Sequence, residues 1–218
     1  MEGSRYIVVE GPIGAGKAAL AKKLAKNIEA RVVLEEIEAN PFLPAFMRDR
    51  RRRAFQVQLY FLLSRFRQQQ ELIQLNLFHK NTVGDYLFER DRLFALVNLN
   101  EDELALYDQV FNLLRGRVPQ PDLVIYLSAR SEVLWQRLKA QPRYKETENW
   151  FSLDYLKKVN EAYNNFFYHY DRAPLLVVNT SDVDLISDEE TYQHFLREVE
   201  GHQRGVKHYI PSGTIGRG

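Results

Sequence analysis

A glycine-rich segment ending in a lysine, Gly11-Pro-Ile-Gly-Ala-Gly-Lys17, is the part of the sequence best suited to bind a ligand. It follows an apolar run at Tyr6–Val9 and opens an amphipathic stretch at Lys17–Asn27, so it connects a predicted strand to a predicted helix. Glycines let successive N–H groups turn toward one point, the helix N-terminus adds partial positive charge, and Lys17 adds a full charge. The segment therefore predicts a triphosphate-binding loop, in preference to a glycine-rich turn with a solvated lysine. The residues expected to contact phosphates are Gly11, Ile13, Gly14, Ala15, Gly16, Lys17 and Ala18.

The residue after the lysine departs from the usual pattern of such loops. That position normally carries Ser or Thr, whose hydroxyl is a ligand of Mg²⁺, but here it is Ala18, and Ala19 follows. Mg²⁺ usually keeps several waters, so a water can take the place of the hydroxyl, with weaker positioning of the metal as the result. Nucleotide binding is therefore more strongly predicted than rapid turnover.

Short apolar runs alternate with amphipathic stretches, which predicts βαβ units and a mainly parallel sheet. The chain has 218 residues, of which 45% are hydrophobic, enough for one substantial core. We expect one α/β domain over residues 1–200, with a five-stranded parallel sheet flanked by helices on both faces, and a tail over 201–218 that is mobile or docks only through Tyr209 and Ile210. The predicted strands are Tyr6–Val9, Arg31–Leu34, Thr82–Val83, Leu123–Leu127 and Leu175–Val178, and the longer predicted helices are Ala54–Leu77, Glu101–Leu114 and Leu153–Tyr170.

Charge and composition exclude several other kinds of protein. Lys and Arg total 30 against 29 for Asp and Glu, so no overall field favours nucleic acid or a membrane surface as a partner. Arg48 and the run Arg50–Arg53 are expected to form a solvated positive patch, in preference to a nucleic-acid contact. The absence of cysteine excludes disulfides and thiolate metal sites, the five histidines lack zinc-like spacing, and no apolar run approaches ~18 residues. We therefore expect a soluble, cytoplasmic protein.

Four segments are similar to the deoxynucleoside kinase family, especially its bacterial purine and pyrimidine members. The resemblance extends over nearly the whole chain, from Arg5 to about Leu196, and it implies a P-loop nucleoside kinase fold with a short lid at about 139–150. It also implies ATP or another nucleoside triphosphate as phosphate donor, with Mg²⁺. The four segments are Leu34–Leu43, Phe55–Arg65, Thr82–Ala95 and Gln136–Glu146.

Several site residues follow from this resemblance. Glu35 is implied to be the general base, and a carboxylate at the end of a strand can face the crevice and accept a proton from a 5′-hydroxyl. Gln58 and Arg65 are seven residues apart, so they share a helix face, and the family uses this helix to contact the base. Asp85 is implied to lie near the metal and the phosphates, and Asp91 is implied to pair with Arg65.

The segment that matches the lid supplies further charges. Arg137 and Arg143 match arginines that stabilise the transferring phosphoryl group, for which planar, permanently charged groups are well suited. Glu146 falls where the family binds the sugar 3′-hydroxyl. A basic helix end with ordinary capping preference would also explain Arg137.

The chain also departs from the family pattern. Gln141-Pro142 replaces the usual Arg-Gly of the lid, which removes one phosphate-binding charge and stiffens the segment. Met47 occupies a position where relatives often have a sugar-contacting Tyr. Many members have Arg immediately after the acid at position 85, whereas this chain has Tyr86, as do some bacterial relatives.

These features favour an ATP-dependent deoxynucleoside kinase that phosphorylates the 5′-hydroxyl, with a lean toward purine nucleosides that rests on the resemblance only. One alternative is a catalytically impaired kinase-fold paralogue that binds nucleotide or nucleoside and acts as a partner subunit. Another is a P-loop kinase for a nucleoside monophosphate or another small alcohol. The family is commonly dimeric through two long helices, which implies a homodimer, or a heterodimer with a paralogue, through Ala54–Leu77 and Glu101–Leu114.

Overall fold

The computed structural model describes residues 5–75, 81–141 and 151–211. Six strands form one sheet in the order β2-β3-β1-β4-β5-β6, and all neighbouring strands are parallel. Parallel sheets need helical crossovers, which explains the alternation of apolar and amphipathic segments. The strands are β1 Arg5–Glu10, β2 Arg31–Val33, β3 Asn81–Gly84, β4 Leu123–Ser128, β5 Leu175–Asn179 and β6 Val206–Tyr209.

Helices cover both faces of the sheet, and side chains of β1 alternate between the two cores. Ile7 and Val9 join a cluster with α1 and α8, whereas Tyr6 and Val8 join a cluster with α4 and α7. Helix α5 packs against α3 and α4 through a third apolar cluster. The helices are α1 Lys17–Asn27, α2 Leu43–Arg48, α3 Ala54–Leu75, α4 Arg90–Asn98, α5 Glu101–Arg115, α6 Ser131–Ala140, α7 Leu153–Tyr168 and α8 Glu189–Gly201.

The α/β class, the five predicted strands and the longer predicted helices are confirmed, with small differences at their ends. The number of strands is wrong, because β6 adds a sixth strand that pairs with β5. This strand lies within the segment predicted to be a tail, where docking was expected only from Tyr209 and Ile210. Tyr209 packs against the core as expected, whereas Ile210 is 75% exposed, and the backbone of Val206–Tyr209 adds the pairing with β5. Among the described residues, no helix is long and apolar enough to cross a membrane.

The strand order gathers chemically useful residues at one edge of the sheet. Strand β1 lies between β3 and β4. The chain runs from β1 toward β2 on one side of the sheet, whereas it runs from β3 toward β4 on the other side. Such a reversal of direction creates a crevice beyond the carboxyl ends of the strands. The glycine-rich loop follows β1, Glu35 lies two residues after β2, and Asp85 follows β3.

Candidate active site

The glycine-rich loop has a backbone conformation that needs glycine. Gly14 has a φ of 86°, and a Cβ atom there would lie 2.7 Å from the Leu134 carbonyl oxygen. Gly16 has a φ of 87° and immediately precedes α1, which begins at Lys17. These conformations carry the loop directly into the first turn of α1, and a helix N-terminus favours a bound anion.

A buried glutamate fixes the start of this loop. Glu10 is 1% exposed, and its Oε1 accepts hydrogen bonds from the Gly11 N–H at 2.8 Å and the Tyr163 hydroxyl at 3.1 Å. Its Oε2 accepts from the Leu87 N–H at 2.6 Å. The amide of Gly11 is thus engaged by Glu10, and the expectation that Gly11 contacts a phosphate stays a prediction.

Lys17 is 9% exposed, and its Nζ donates to the Pro12 carbonyl at 3.1 Å. Burial lowers the pKa of Lys17 to about 7, and the positive charges of Arg90 and Arg65 act in the same direction. Glu10 and Asp85 oppose this effect. The amine is therefore poised to become fully charged when an anion enters the site.

Two arginines hold Glu35, whose side chain is 8% exposed. Its Oε1 accepts a hydrogen bond from Arg65 Nη2, and its Oε2 lies 2.6 Å from Arg90 Nη1. The other guanidinium nitrogen of Arg65 donates to Asp91 Oδ1, so the pair implied by the resemblance is present. The carboxylate is therefore held at both oxygens and fixed in orientation.

Arg90 is the site residue that sequence reasoning missed. Tyr86, where many family members have arginine, is buried instead, and its hydroxyl donates to Gln68 Oε1 at 2.6 Å. Arg90 begins α4 four residues later, and its guanidinium reaches the site from there. Because position 86 lacks the arginine that many family members have, the sequence indicated that a cationic residue at another position could take its place.

Asp85 is the carboxylate best placed to bind Mg²⁺. Its Oδ1 accepts a hydrogen bond from the Glu35 N–H at 2.8 Å, and burial raises the pKa of Asp85 while Arg90 and Lys17 oppose the shift. No cluster of three or more metal-binding side chains is found in the described part of the chain. This donor set fits Mg²⁺, which is commonly bound through one or two carboxylates together with waters and substrate phosphates.

A cavity of about 500 Å³ adjoins these charged residues. Lys17, Glu35 and Asp85 border one part of it. Gln58 and Asp91 also border the cavity. Each has one buried oxygen, Gln58 Oε1 and Asp91 Oδ2, that has no hydrogen-bond partner among the described residues. Burial raises the pKa of Asp91 against the effect of Arg65. The apolar walls include Phe46, Met47, Val57, Phe61 and Phe94.

A second cavity of about 310 Å³ borders Gly14, Ala15 and Gly16 together with the chain after β5, Thr180 to Ile186. Gly14, Gly16 and Gln141 border both cavities, so the loop lies where the two meet. Of the other residues assigned to the loop, Ile13 and Ala18 border the first cavity. Two ligands could therefore approach each other across this loop.

Arg137 borders the second cavity, but its guanidinium is already bound to protein. It donates to Thr180 Oγ1 and the Val183 carbonyl, each at 3.2 Å, and also to the Thr180 carbonyl. Contact with a phosphate would require Arg137 to share these bonds. Arg143 and Glu146, together with Pro142, lie outside the described residues.

A parallel sheet with a glycine–lysine loop after β1, and with carboxylates after the adjacent strand β3 and after β2 beyond it, defines a P-loop kinase of the nucleoside kinase type. The deoxynucleoside kinase family model matches residues 7–203. The chain therefore belongs to the deoxynucleoside kinase family.

Curated relatives cover most of the chain. The deoxyadenosine kinase of Dictyostelium discoideum is 33% identical over 225 residues, which is 100% of this chain and 87% of that protein. The deoxyguanosine kinase of Lactobacillus acidophilus is 30% identical and covers 88% of each chain. The deoxyadenosine/deoxycytidine kinase of Bacillus subtilis is 28% identical, over 88% of this chain and 90% of that protein.

Solved structures show the same fold. Deoxyadenosine kinase from M. mycoides with bound dATP has a TM-score of 0.76 at 22% identity, and covers 90% of this chain and 100% of that chain. The same enzyme with the products dCMP and a flexible dCDP has a TM-score of 0.75 at 24% identity, over 89% of this chain and 98% of that chain. The six-stranded architecture is thus that of a known nucleotide-binding kinase.

Proposed function

We propose that this protein transfers the γ-phosphoryl group of ATP to the 5′-hydroxyl of a deoxynucleoside. The observation that carries the proposal is the position of Glu35, a carboxylate held by two arginines beside a cavity that also borders Lys17 and the glycine-rich loop. A carboxylate in that position can accept a proton from a hydroxyl as its oxygen attacks phosphorus.

The roles of the charged residues follow from their chemistry. Backbone N–H groups of the loop and Lys17 bind the donor phosphates, while Arg65 and Arg90 keep Glu35 oriented. Asp85 helps to hold Mg²⁺, which neutralises phosphate charge when it is bound. Arg137 and Arg143 stabilise the charge on the transferring phosphoryl group.

The large cavity is the site that we assign to the deoxynucleoside. Its apolar walls suit a flat base, and Gln58 supplies a paired donor and acceptor for the base edge. Arg65 and Asp91 complete base recognition, whereas Met47 and Glu146 serve the sugar. The names of the curated relatives support a preference for purine deoxynucleosides, with deoxyadenosine the first to test.

The smaller cavity is the site that we assign to the base of ATP. It lies beside Gly14 and Gly16, so a triphosphate can extend from it along the loop toward Glu35. Arg137 and Thr180 form part of its wall, and Leu185 and Ile186 supply apolar surface.

We also propose a homodimer, or a heterodimer with a paralogue, formed through α3 and α5. These helices pack on each other through Leu62, Tyr107 and Phe111, yet they also expose large apolar side chains. Burial of such side chains in a dimer would remove them from water. The exposed side chains are Leu63, Ile73, Leu106 and Leu113.

Both substrates are soluble metabolites, so we propose a cytoplasmic enzyme without nucleic-acid or membrane partners.

A catalytically impaired partner subunit is the second candidate. Ala18 lacks a metal-binding hydroxyl, and the guanidinium of Arg137 is engaged by Thr180 and Val183. Such a protein would bind nucleotide without phosphorylating a nucleoside.

The deciding experiment measures phosphorylation of a panel of deoxynucleosides and ribonucleosides by Mg²⁺-ATP. Glu35→Gln controls for contaminating kinase, and Glu36→Gln is a matched control because Glu36 is an exposed neighbour. We expect turnover that Glu35→Gln abolishes and Glu36→Gln preserves. Nucleotide binding without turnover in the wild type would favour the impaired partner subunit.

A further inference from the structure

Arg50 differs from the three arginines that follow it. Arg51, Arg52 and Arg53 are exposed, as expected for a solvated patch. The guanidinium of Arg50, by contrast, lies 3.5 Å from the centroid of the Tyr155 ring. It is also 5.6 Å from the centroid of Phe46 and 5.7 Å from that of Phe151. The interpretation of the run as a solvated patch is therefore wrong for Arg50.

These three aromatic rings belong to the wall of the large cavity. Phe46, Phe151 and Tyr155 all border it, whereas Arg50 is not one of its lining residues. Arg50 therefore supports the wall from behind. A guanidinium is attracted to the face of an aromatic ring, and it can stack on that ring while keeping other donors free.

The same tyrosine is held by its hydroxyl as well as by its ring, because Arg50 and Asn98 both hydrogen-bond to its side chain. Its hydroxyl accepts a hydrogen bond from Asn98 Nδ2 at 3.2 Å, and this amide also donates to the Phe94 carbonyl at 2.9 Å. Asn98 lies at the end of α4, seven residues after Asp91, so both side chains lie on one face of that helix. Both also border the cavity.

Arg50, Asn98 and Tyr155 therefore join three separate parts of the chain. Arg50 comes from the connection between α2 and α3, Asn98 from α4, and Tyr155 from the first turn of α7. Phe151, which Arg50 also approaches, immediately follows residues 142–150 and leads into α7. Arg50 therefore links Phe151 and the first turn of α7 to Phe46 of α2.

We propose that Arg50 is a positioning residue that fastens the Phe151–Tyr155 wall to the α2–α3 connection and thereby sets how tightly the cavity binds the nucleoside. This proposal rests on the proposed function, because it assigns the large cavity to the nucleoside. It predicts that Arg50 affects nucleoside binding and leaves ATP binding unchanged, since Arg50 is remote from the loop in sequence and does not border the second cavity.

The test compares Arg50→Met with Arg51→Met. Both variants remove one charge from the same run, so the second controls for a general electrostatic effect. We expect Arg50→Met to raise the nucleoside KM about tenfold, with kcat and the ATP KM changed less than about twofold, because a partly buried cation–aromatic contact is lost. Arg50→Lys retains a cation and should give an intermediate value.

A double-variant cycle separates positioning from general destabilisation. Tyr155→Leu removes the ring on which Arg50 acts, so Arg50→Met should have little further effect on nucleoside KM in that background. Equal nucleoside KM values for Arg50→Met and Arg51→Met would overturn the proposal. A uniform loss of kcat and of both affinities, together with a lower Tm, would also overturn it, because it would show a structural role only.

The activity of the wild-type protein distinguishes a failure of this proposal from a failure of the proposed function. If the wild type phosphorylates no nucleoside, the proposed function fails, and calorimetric titration with deoxyadenosine and with ATP still tests Arg50. Weaker deoxyadenosine binding in Arg50→Met but not in Arg51→Met would then support the proposal. Equal binding by the two variants, or no detectable binding of deoxyadenosine to the wild type, would overturn it.

Discussion

Arg90 Nη1 lies 2.6 Å from Glu35 Oε2, while Arg65 holds the other oxygen of the same carboxylate. Glu35 therefore has a cation at each oxygen, and the two cations come from different helices, α3 and α4. A carboxylate held in this way keeps its orientation before a substrate arrives. Removal of Arg90 should lower the rate of the chemical step more than it weakens substrate binding.

Replacement of Arg90 by methionine tests this relationship. We expect kcat to fall about 10²–10³-fold, the usual effect of removing a charge-stabilising group, with a smaller change in nucleoside KM. Steady-state kinetics measure both quantities. Arg92→Met is the matched control, because Arg92 is on the same helix but pairs with Asp108 at 2.8 and 3.0 Å. Similar losses of kcat in the two variants would contradict a specific role for Arg90.

Nucleotide binding should be coupled to proton uptake by Lys17. Burial lowers the pKa of this amine to about 7, so it is mostly neutral at about pH 8 in the free protein. Bound phosphates favour the ammonium form and raise its pKa, so binding should take up at most about one proton. Isothermal titration calorimetry with ATP in two buffers of different ionisation enthalpy measures this number. Lys17→Met should abolish the uptake, and a buffer-independent enthalpy for the wild type would refute the coupling.

A hydroxyl restored after Lys17 should improve the use of metal. Ala18 is exposed and borders the large cavity, so Ala18→Thr has room for its side chain. We expect the Mg²⁺ concentration for half-maximal turnover to fall about tenfold, because a direct metal ligand is added. Ala19→Thr is the control, since the neighbouring residue is also exposed. An unchanged Mg²⁺ dependence in Ala18→Thr would mean that the missing hydroxyl does not limit activity.

Base recognition by Gln58 can be tested against a second glutamine on the same helix. Gln58→Ala should raise the nucleoside KM about tenfold while leaving the ATP KM unchanged, because the lost amide serves only the base edge. Gln56→Ala is the matched control, since Gln56 lies on the exposed face of α3. If both variants retained the wild-type nucleoside KM, the assignment of Gln58 would be wrong.

Much of the fold was predictable because its signals are local. Apolar runs indicated five strands, and the glycines before Lys17 indicated the loop and the start of α1. Strand β6 gave no such signal, because it lies at the edge of the sheet with most of its side chains exposed. Its backbone pairing with β5 is what keeps it in the sheet, and backbone pairing leaves little pattern in the sequence.

The site was predictable only in part, for a related reason. Glu35 and Asp85 follow strands, so topology brings them to the crevice. The pairing of Arg65 with Asp91 required a family resemblance, because each is an ordinary residue of an amphipathic helix. Arg90 and Arg50 were missed because the direction and burial of a long cationic side chain depend on tertiary packing, which charge spacing does not reveal.

The buried carboxylate of Glu10 has a thermodynamic consequence for ligand binding. It ties the first amide of the loop to Leu87 and to Tyr163, so the shape of the loop is set when the protein folds. Preorganisation of this kind lowers the conformational entropy that remains to be lost on association. The affinity for nucleotide should therefore depend mainly on charge and contact, and little on ordering of the loop at the moment of binding.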